Sequence, residues 1–215
     1  HAGYIYSGDV AAWSYRQLDP DKKYKRIILI GTSHQTIFEG ASVYTEGNYE
    51  TILGEIEVDL IAARELIRNN KYFRYNKNAH NREHSLEVQL PFLQVHLNKD
   101  FTILPVIIGT RNFKILESIS ESLSKYTDNE TLVILSTDFS HYPPYSTGVE
   151  RDKKTAEAFM NETPEEFYNY IKKTEEIKTN NFLTPMCGWP SAIVVKQIFP
   201  CDLDFKYRHL YYKNS

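Results

Sequence analysis

Short apolar runs, each closed by small polar residues, alternate along the chain with longer segments of helical periodicity. The runs at 26–30, 101–108 and 132–135 predict buried strands, and 205–212 predicts a last strand. Apolar positions three and four residues apart predict helices at 57–69, 83–97, 113–126, 149–160, 164–172 and 191–198. Strands that alternate with helices are typical of a single α/β domain with a mostly parallel or mixed sheet flanked by helices.

Prolines and capping residues refine this prediction. Pro91 falls inside the helix predicted at 83–97, where it should kink or interrupt the helix. Pro105 cannot donate to a β-ladder, so the strand at 101–108 should be irregular there or lie near an edge. Thr163 and Glu166 form a plausible capping box at the start of the helix at 164–172.

Two of the predicted strands end in a similar way. The segment Arg26–His34 reads RIILIGTSH, and Leu132–Tyr142 reads LVILSTDFSHY. Because ligands bind beyond the carboxyl ends of strands in open α/β sheets, these two loops predict one shared site. Asp138 and His141 are the side chains in the second loop that are best suited to proton transfer.

Composition and charge narrow the class of function. Hydrophobic residues make up 41% of the 215 residues, and the formal charge is −3 without a basic run, which disfavours nucleic-acid binding. No apolar segment is long enough to span a bilayer. Cys187 and Cys201 are too few for a disulfide framework, which favours a reducing, cytoplasmic compartment.

Good metal ligands lie beside small residues in predicted loops. Imidazole and thiolate groups bind iron, copper and zinc, and carboxylates complete or orient such sites. No close-spaced metal signature is present, so a fold would have to gather the ligands. The candidates are His1, His34, His141 and Cys187, with Asp138 or Glu87 as the carboxylate.

Each candidate also has a structural interpretation. A histidine that follows a strand more often hydrogen-bonds the backbone than binds a metal, which applies to His34 and His141. Asp138 can cap its own turn, and an unpaired cysteine such as Cys187 is most often a small buried hydrophobe. These alternatives stay open on the residues alone.

The remaining histidines are predicted to be less informative. His84 and Glu87 lie one helical turn apart, so they form either a helix N-terminal pair or a contact with the site. His80 is predicted to be solvated in a polar loop, and His96 to be structural. No role is predicted for His209.

Five short motifs, in order along nearly the whole chain, resemble those of the Memo family (mediator of cell motility). Each motif is weak alone, but together they are specific. Memo proteins look like the class III extradiol ring-cleaving dioxygenases, whose related fold binds non-haem iron. The motifs are His1-Ala2-Gly3-Tyr4, Gly31-Thr32-Ser33-His34, Glu83-His84-Ser85-Leu86-Glu87 with Leu90-Pro91, Ser136-Thr137-Asp138-Phe139-Ser140-His141, and Met186-Cys187-Gly188.

The resemblance implies a role for each matching residue. It implies a site for iron or copper, with zinc less favoured, in which a cysteine stands where the dioxygenases use a glutamate. A thiolate is softer than a carboxylate and is itself oxidisable, so dioxygenase activity does not follow from the fold. The implied metal ligands are His1, His34 and Cys187, the implied acid/base pair is His141 with Asp138, and the expected substrate contacts are Ser33, His84 and Glu87.

The chain departs from the family pattern in three places. The family's His-Ala-Gly histidine follows an upstream strand, so we expect a single Memo-like domain over 1–215 that is trimmed at the N-terminus. His1 would then carry an α-amino group that can itself bind metal. Gln35 stands where some relatives have a second histidine, and the C-terminus looks short of a final strand.

Three functions compete at this point. The first is a metal-dependent oxidoreductase in which His141 moves a proton at the bound substrate or oxygen. The second is a non-catalytic signalling module that uses the pocket to bind a peptide or small molecule. The third is a zinc hydrolase with His141 activating water. All three imply a small-molecule or peptide ligand, without nucleic acid or membrane insertion.

Overall fold

A five-stranded mixed sheet forms the centre of the molecule in a computed structural model, which describes residues 1–97, 100–141, 143–177, 184–200 and 205–214. The strands are β1 (Arg26–Thr32), β2 (Ala41–Val43), β3 (Tyr49–Thr51), β4 (Gly54–Ile56), β5 (Phe73–Arg74), β6 (Thr102–Ile108) and β7 (Thr131–Leu135). The central sheet has the order β5-β2-β6-β1-β7, and β3 pairs with β4 in a separate hairpin.

The register of β1 decides where the loops meet. β1 lies between β6 and β7 and runs parallel to both, with Arg26 paired to Thr102 on one side and to Thr131 on the other. The carboxyl ends of the three strands therefore meet at one edge of the sheet. Pairing continues past β7, because the N–H of Ser136 donates to the carbonyl of Ile30 at 2.9 Å.

Helices cover the sheet, and several begin at side-chain caps. Asp59, Asn112 and Thr163 each accept a hydrogen bond from the first turn of the helix that follows, and the capping box of Thr163 with Glu166 is confirmed. The helices are α1 (Tyr4–Tyr15), α2 (Leu60–Asn69), α3 (Lys77–Asn81), α4 (Leu90–His96), α5 (Phe113–Ser124), α6 (Tyr145–Asn161), α7 (Pro164–Glu176) and α8 (Trp189–Ile198).

Both faces of the sheet are buried. Successive side chains of a strand point to opposite faces. Ile28 and Ile30 belong to a core built with α2, α5, α7 and α8, whereas Ile27 and Leu29 belong to a second core built with α4 and the end of α1. The fold class expected from the sequence, α/β with a mixed sheet flanked by helices, is confirmed.

The expectation for Pro105 was wrong, because β6 lies third of the five strands and is regular. The N–H of Ile103 donates to Glu57, away from β1, and alternation along the strand turns the nitrogen of Pro105 the same way. Pro105 sits just beyond the end of β2, whose last residue Val43 pairs with Val106. The backbone nitrogen of Pro105, which has no hydrogen to donate, therefore faces the space between the end of β2 and Glu57.

Three other predicted elements differ in detail from the structure. Residues 205–212 form no strand. β7 lies outermost among the described strands, and its side chains are half-buried rather than buried. The helix predicted at 83–97 is interrupted next to Pro91 rather than kinked by it, as one of the two expected outcomes. A 3₁₀ turn at Glu87–Gln89 precedes α4, which begins only at Leu90, and a proline in the first turn loses no hydrogen bond.

His80 is buried, which contradicts the prediction that it is solvated. It lies in α3 and is 8% exposed, with its ring 5.3 Å from the ring of Tyr44 and 5.8 Å from that of Tyr75. Burial lowers the pKa of His80 from 6.5 to about 4. The polar composition of the segment concealed this, because the burial comes from tyrosines that pack against the helix.

None of the helices in the described ranges combines the length and the apolar character that crossing a lipid bilayer requires.

We expect acid to destabilise the protein through His80. Its folded pKa lies below its unfolded value, so the unfolded state binds the extra proton and stability falls as the pH drops from 6.5 toward 4. Between pH 7 and pH 5 the loss should be about 2 kcal/mol. Urea unfolding at both pH values should show that His80→Phe removes this part of the loss.

His209, which is exposed, provides the matched control. The variant His209→Phe should keep the wild-type pH dependence. An equal pH dependence in His80→Phe and wild type would contradict the assignment of this loss to His80.

Candidate metal centre

Loops from four parts of the chain meet at the edge where β1 and β7 end. Ser33 and His34 follow β1, and the loop 136–141 follows β7. The turn at Met186–Gly188 precedes α8, which packs on the sheet, and His1 precedes α1. The shared site that the sequence predicted from two strand ends is thus formed by four segments.

Two glycines allow these segments to approach closely. A Cβ on Gly31 would lie 2.7 Å from Ser85 Oγ, and a Cβ on Gly188 would lie 2.6 Å from Thr137 Oγ1. Both distances are shorter than any real Cβ contact allows. The glycine at each position is therefore required by packing rather than by an unusual backbone angle.

Cys187 is seated on the loop after β7. Its N–H donates to the carbonyl of Asp138 at 3.1 Å, and the N–H of Gly188 donates to Thr137 Oγ1 at 2.9 Å. The sulfur in turn accepts the N–H of Asp138 at 3.3 Å. These contacts hold the thiol over the loop and direct it toward the histidines.

Two histidines and the thiol converge on one point. His1 Nε2 lies 3.4 Å from Cys187 Sγ, and the rings of His1 and His34 lie 5.0 Å apart. One ligand atom each from His1, His34 and Cys187 lies within 4.8 Å of the other two. His1 is buried, Cys187 is half-buried and His34 is exposed, so the three donors run from the interior to the surface.

Asp138 and His141 also lie close to the thiol of Cys187. Asp138, His141 and Cys187 also bring ligand atoms within 4.8 Å of one another. His141 Nε2 lies 3.8 Å from Asp138 Oδ2, while Asp138 Oδ1 accepts from the α-amino group of His1 at 2.5 Å. The pair predicted for proton transfer therefore borders the candidate metal ligands.

Glu83 fixes His34 and was not recognised from the sequence. Its Oε2 accepts from both the backbone N–H and the Nδ1 of His34, each at 2.9 Å, and its Oε1 accepts from the N–H of Ser85 at 3.0 Å. Burial alone would raise the pKa of Glu83, but the hydrogen bonds from His34 outweigh it and hold the pKa at about 2. This ionised carboxylate leaves Nε2 of His34 to face the pocket.

A buried chain of hydrogen bonds, which the sequence also did not predict, connects α1 with the loop after β7 and with the backbone of Ser85. Tyr15 OH donates to Gln89 Oε1 at 2.7 Å, and Gln89 Nε2 donates to Ser136 Oγ at 2.9 Å. Ser136 Oγ then donates to the carbonyl of Ser85 at 2.6 Å. Neither periodicity nor spacing indicates such a chain, because its members come from three separated segments.

The three predicted substrate contacts have different surroundings. Ser33 Oγ donates to the carbonyl of Thr36 at 2.7 Å, so its hydroxyl stabilises the turn. His84 is exposed, and its ring lies 5.9 Å from that of His1. Glu87 is exposed at the start of the 3₁₀ turn. Their roles in substrate binding stay predictions.

The three imidazoles and the thiol shift one another's pKa values. Burial alone would raise the pKa of Cys187, but hydrogen bonds with His1, His141 and His34 outweigh it and lower the pKa well below its ordinary value. Hydrogen bonds with Cys187 raise the pKa of His34 and of His141. Without a metal ion, the pocket therefore favours a thiolate among protonated imidazoles.

The donor set fits a metal ion. Metal–nitrogen and metal–sulfur bonds of about 2.05 and 2.3 Å place the two donors of a tetrahedral site roughly 3.5 Å apart. The separation of His1 Nε2 and Cys187 Sγ, 3.4 Å, agrees with this. Two imidazoles and one thiolate suit iron, copper or zinc, and Glu83 orients one of the imidazoles in the way that metal-binding histidines require.

Comparison with known proteins gives a consistent set of relatives. A family described as Memo-like protein matches residues 1–215. A MEMO1 family protein of Desulfurococcus amylolyticus is 36% identical over 218 residues, which cover 100% of this chain and 74% of that protein. A MEMO1 family protein of Sulfurisphaera tokodaii is 34% identical over 179 residues, which cover 81% of this chain and 63% of that protein. The chain thus spans only part of these relatives.

A solved structure shares the fold. The uncharacterized protein JW3007 of Escherichia coli K12 matches with a TM-score of 0.61 and 14% sequence identity, over 89% of this chain and 82% of that one. At this identity the likeness concerns the fold alone.

We expect Cys187 to react as a thiolate at mildly acidic pH in the metal-free protein. An ordinary thiol with a pKa near 8.5 becomes about 75-fold more ionised between pH 6 and pH 8. Because the pKa of Cys187 is lowered, its alkylation rate should change little over this range. Mass spectrometry of the Cys187 peptide after timed iodoacetamide treatment measures the rate.

The urea-unfolded protein is the reference, in which Cys187 should show the ordinary rise with pH. His141→Gln removes one imidazole and should restore part of that rise. A folded protein that follows the unfolded pH profile would show that the imidazoles do not stabilise the thiolate.

Proposed function

The chain belongs to the Memo family, and from this premise we propose that it is a metal-dependent redox protein. It holds iron or copper through His1, His34 and Cys187, and it acts on a small-molecule or peptide ligand at the edge of the sheet. The observation that carries the proposal is the convergence of these three donors, from loops far apart in the sequence, within 4.8 Å of one another.

The donors favour a redox metal. A thiolate is a soft ligand that suits copper, and imidazoles bind both copper and iron. When bound, either metal would supply one-electron chemistry at the pocket. Zinc also suits the three donors, which would favour hydrolysis instead, and elemental analysis separates the two cases.

His141 is proposed as the residue that holds and moves a proton, at Nε2. The negative charge of Asp138, whose Oδ2 lies 3.8 Å from this atom, stabilises the protonated form of the ring. Contacts with Cys187 raise the pKa of His141. His141 can therefore donate a proton to a ligand bound beside the thiol.

The mouth of the pocket is proposed to select the ligand. His84 and Glu87 are exposed, and the ring of His84 lies 5.9 Å from that of His1. Tyr4, which is half exposed, follows His1 by three residues. Burial raises the pKa of Tyr4, and the negative charge of Glu87 raises it further. A mouth with an imidazole, a carboxylate and a phenol favours a polar ligand with an aromatic group or an amine.

Elemental analysis of protein purified without oxygen tests the proposal. We expect iron or copper to be retained by the wild type and lost from the double variant His34→Ala/Cys187→Ala. Equal metal uptake by the two proteins would refute the ligand assignment. Ligand binding that survives complete chelation would instead support a non-catalytic binding module.

Glu83 should be needed for metal affinity. Glu83→Gln keeps the size of the side chain but removes the charge that orients His34, and such substitutions lower metal affinity about 10- to 100-fold. Competition with a chromophoric chelator measures the affinity. Glu121→Gln, the same change at an exposed position of α5, is the matched control and should retain wild-type affinity.

The metal affinity measured in these titrations should depend on pH in a defined direction. Metal binding requires the imidazoles to be neutral, and the raised pKa of His34 means that a proton must leave before the metal binds. The apparent affinity should therefore rise with pH above neutrality and fall below it. Affinity that is constant from pH 6 to pH 9 would exclude His34 as a ligand.

A further inference from the structure

The segment 211–214 contacts α1, the helix that follows His1. The ring of Tyr211 packs against that of Trp13, with 5.7 Å between their centroids. Lys213 Nζ lies 2.8 Å from Asp9 Oδ2. The segment forms no helix or strand, so side-chain contacts of this kind determine where it lies.

Asp152 joins this segment to the pocket. It lies in α6 and is 6% exposed. Its Oδ1 accepts the N–H of Ser140 at 3.0 Å, and its Oδ2 accepts the OH of Tyr212 at 2.8 Å. Ser140 directly precedes His141 and follows Asp138 by two residues. One buried carboxylate therefore connects the segment to the loop that carries the proposed proton-transfer pair.

We propose that Asp152 and Tyr212 are positioning residues that hold the loop 138–141 so that His141 faces Cys187 and Asp138. The role of His141 in this inference rests on the proposed function, whereas the connection through Asp152 does not. Through it, the segment 211–214 sets the geometry of the pocket.

The physical reason is the need to pair both oxygens of a buried carboxylate. An unpaired buried oxygen is costly, so Asp152 keeps Oδ1 on Ser140 only while Oδ2 has its own donor. Residues 136–141 contain no helix or strand, and the hydrogen bond from Cys187 N–H to the carbonyl of Asp138 restrains their first half. The bond from Ser140 to Asp152 restrains the second half, which carries His141.

The test compares two neighbouring variants that each remove one hydroxyl. Tyr212→Phe should speed amide hydrogen exchange at Ser140 about tenfold or more, because Asp152 loses a partner and turns away. Tyr211→Phe, which loses only a hydroxyl outside this network, should leave the exchange unchanged. The amide of Ile28, in the centre of β1, reports on global stability in the same spectra.

A second pair of variants tests the carboxylate itself. Asp152→Ala should lose the protection of Ser140. Asp152→Asn should retain most of it, because the amide oxygen can accept from Ser140 while the amide NH₂ donates to the hydroxyl oxygen of Tyr212. The ring resonances of His141 should shift in Tyr212→Phe and Asp152→Ala but not in Tyr211→Phe.

The inference is overturned if exchange at Ser140 is unchanged in Tyr212→Phe, or if it rises only in parallel with that at Ile28. Unmoved His141 resonances would equally overturn the positioning role. Iron and copper binding by the wild type separates this inference from the proposed function. If the protein binds neither metal but Ser140 exchange responds to Tyr212→Phe, the connection through Asp152 stands and the proposed function fails. If the protein binds metal but Ser140 exchange does not respond, only the proposed function stands.

Discussion

The parallel pairing of β1 with β6 and β7 is the constraint on which the rest of the molecule depends. It aligns three carboxyl ends at one edge and so brings the loop with His34 beside the loop with Asp138 and His141. The turn at Cys187 then fits only because Gly188 lets it lie against Thr137. A slip of either strand would separate His34 from Asp138 and His141, because the loops that carry them follow β1 and β7 directly.

Long elements with a strong periodicity could be predicted from the sequence, and short ones could not. The apolar run at 26–30 and the helical stripe at 113–126 correspond to β1 and α5, since each buries a continuous face. β2 and β5 have three and two residues, too few for a period, and owe their place to neighbouring strands. The segment 205–212 has the apolar pattern of a strand, but its side chains pack against α1 and α6 instead.

The residues of the candidate site that could be predicted are those whose side chains are good metal ligands or proton donors by themselves. Imidazoles and a thiol next to small residues at strand ends are visible in the sequence, and the resemblance to the Memo family grouped them. The role of Glu83 was not predicted, because it depends on a hydrogen bond with His34, 49 residues away, and no local sequence pattern indicates that contact. His80 was misjudged for the same reason, since its burial is produced by tyrosines of other segments.

The distance between His1 and Cys187 along the chain has a thermodynamic consequence. Their contact spans 186 residues, so an unfolded chain cannot bring the two donors together without losing the entropy of closing a loop of that length. An ion held by both would bind the folded state alone, and each tenfold excess of free ion over its dissociation constant would add about 1.4 kcal/mol to the free energy of unfolding. Such an ion would link two segments that lie 186 residues apart, and the supply of metal would help to decide how much of the protein is folded.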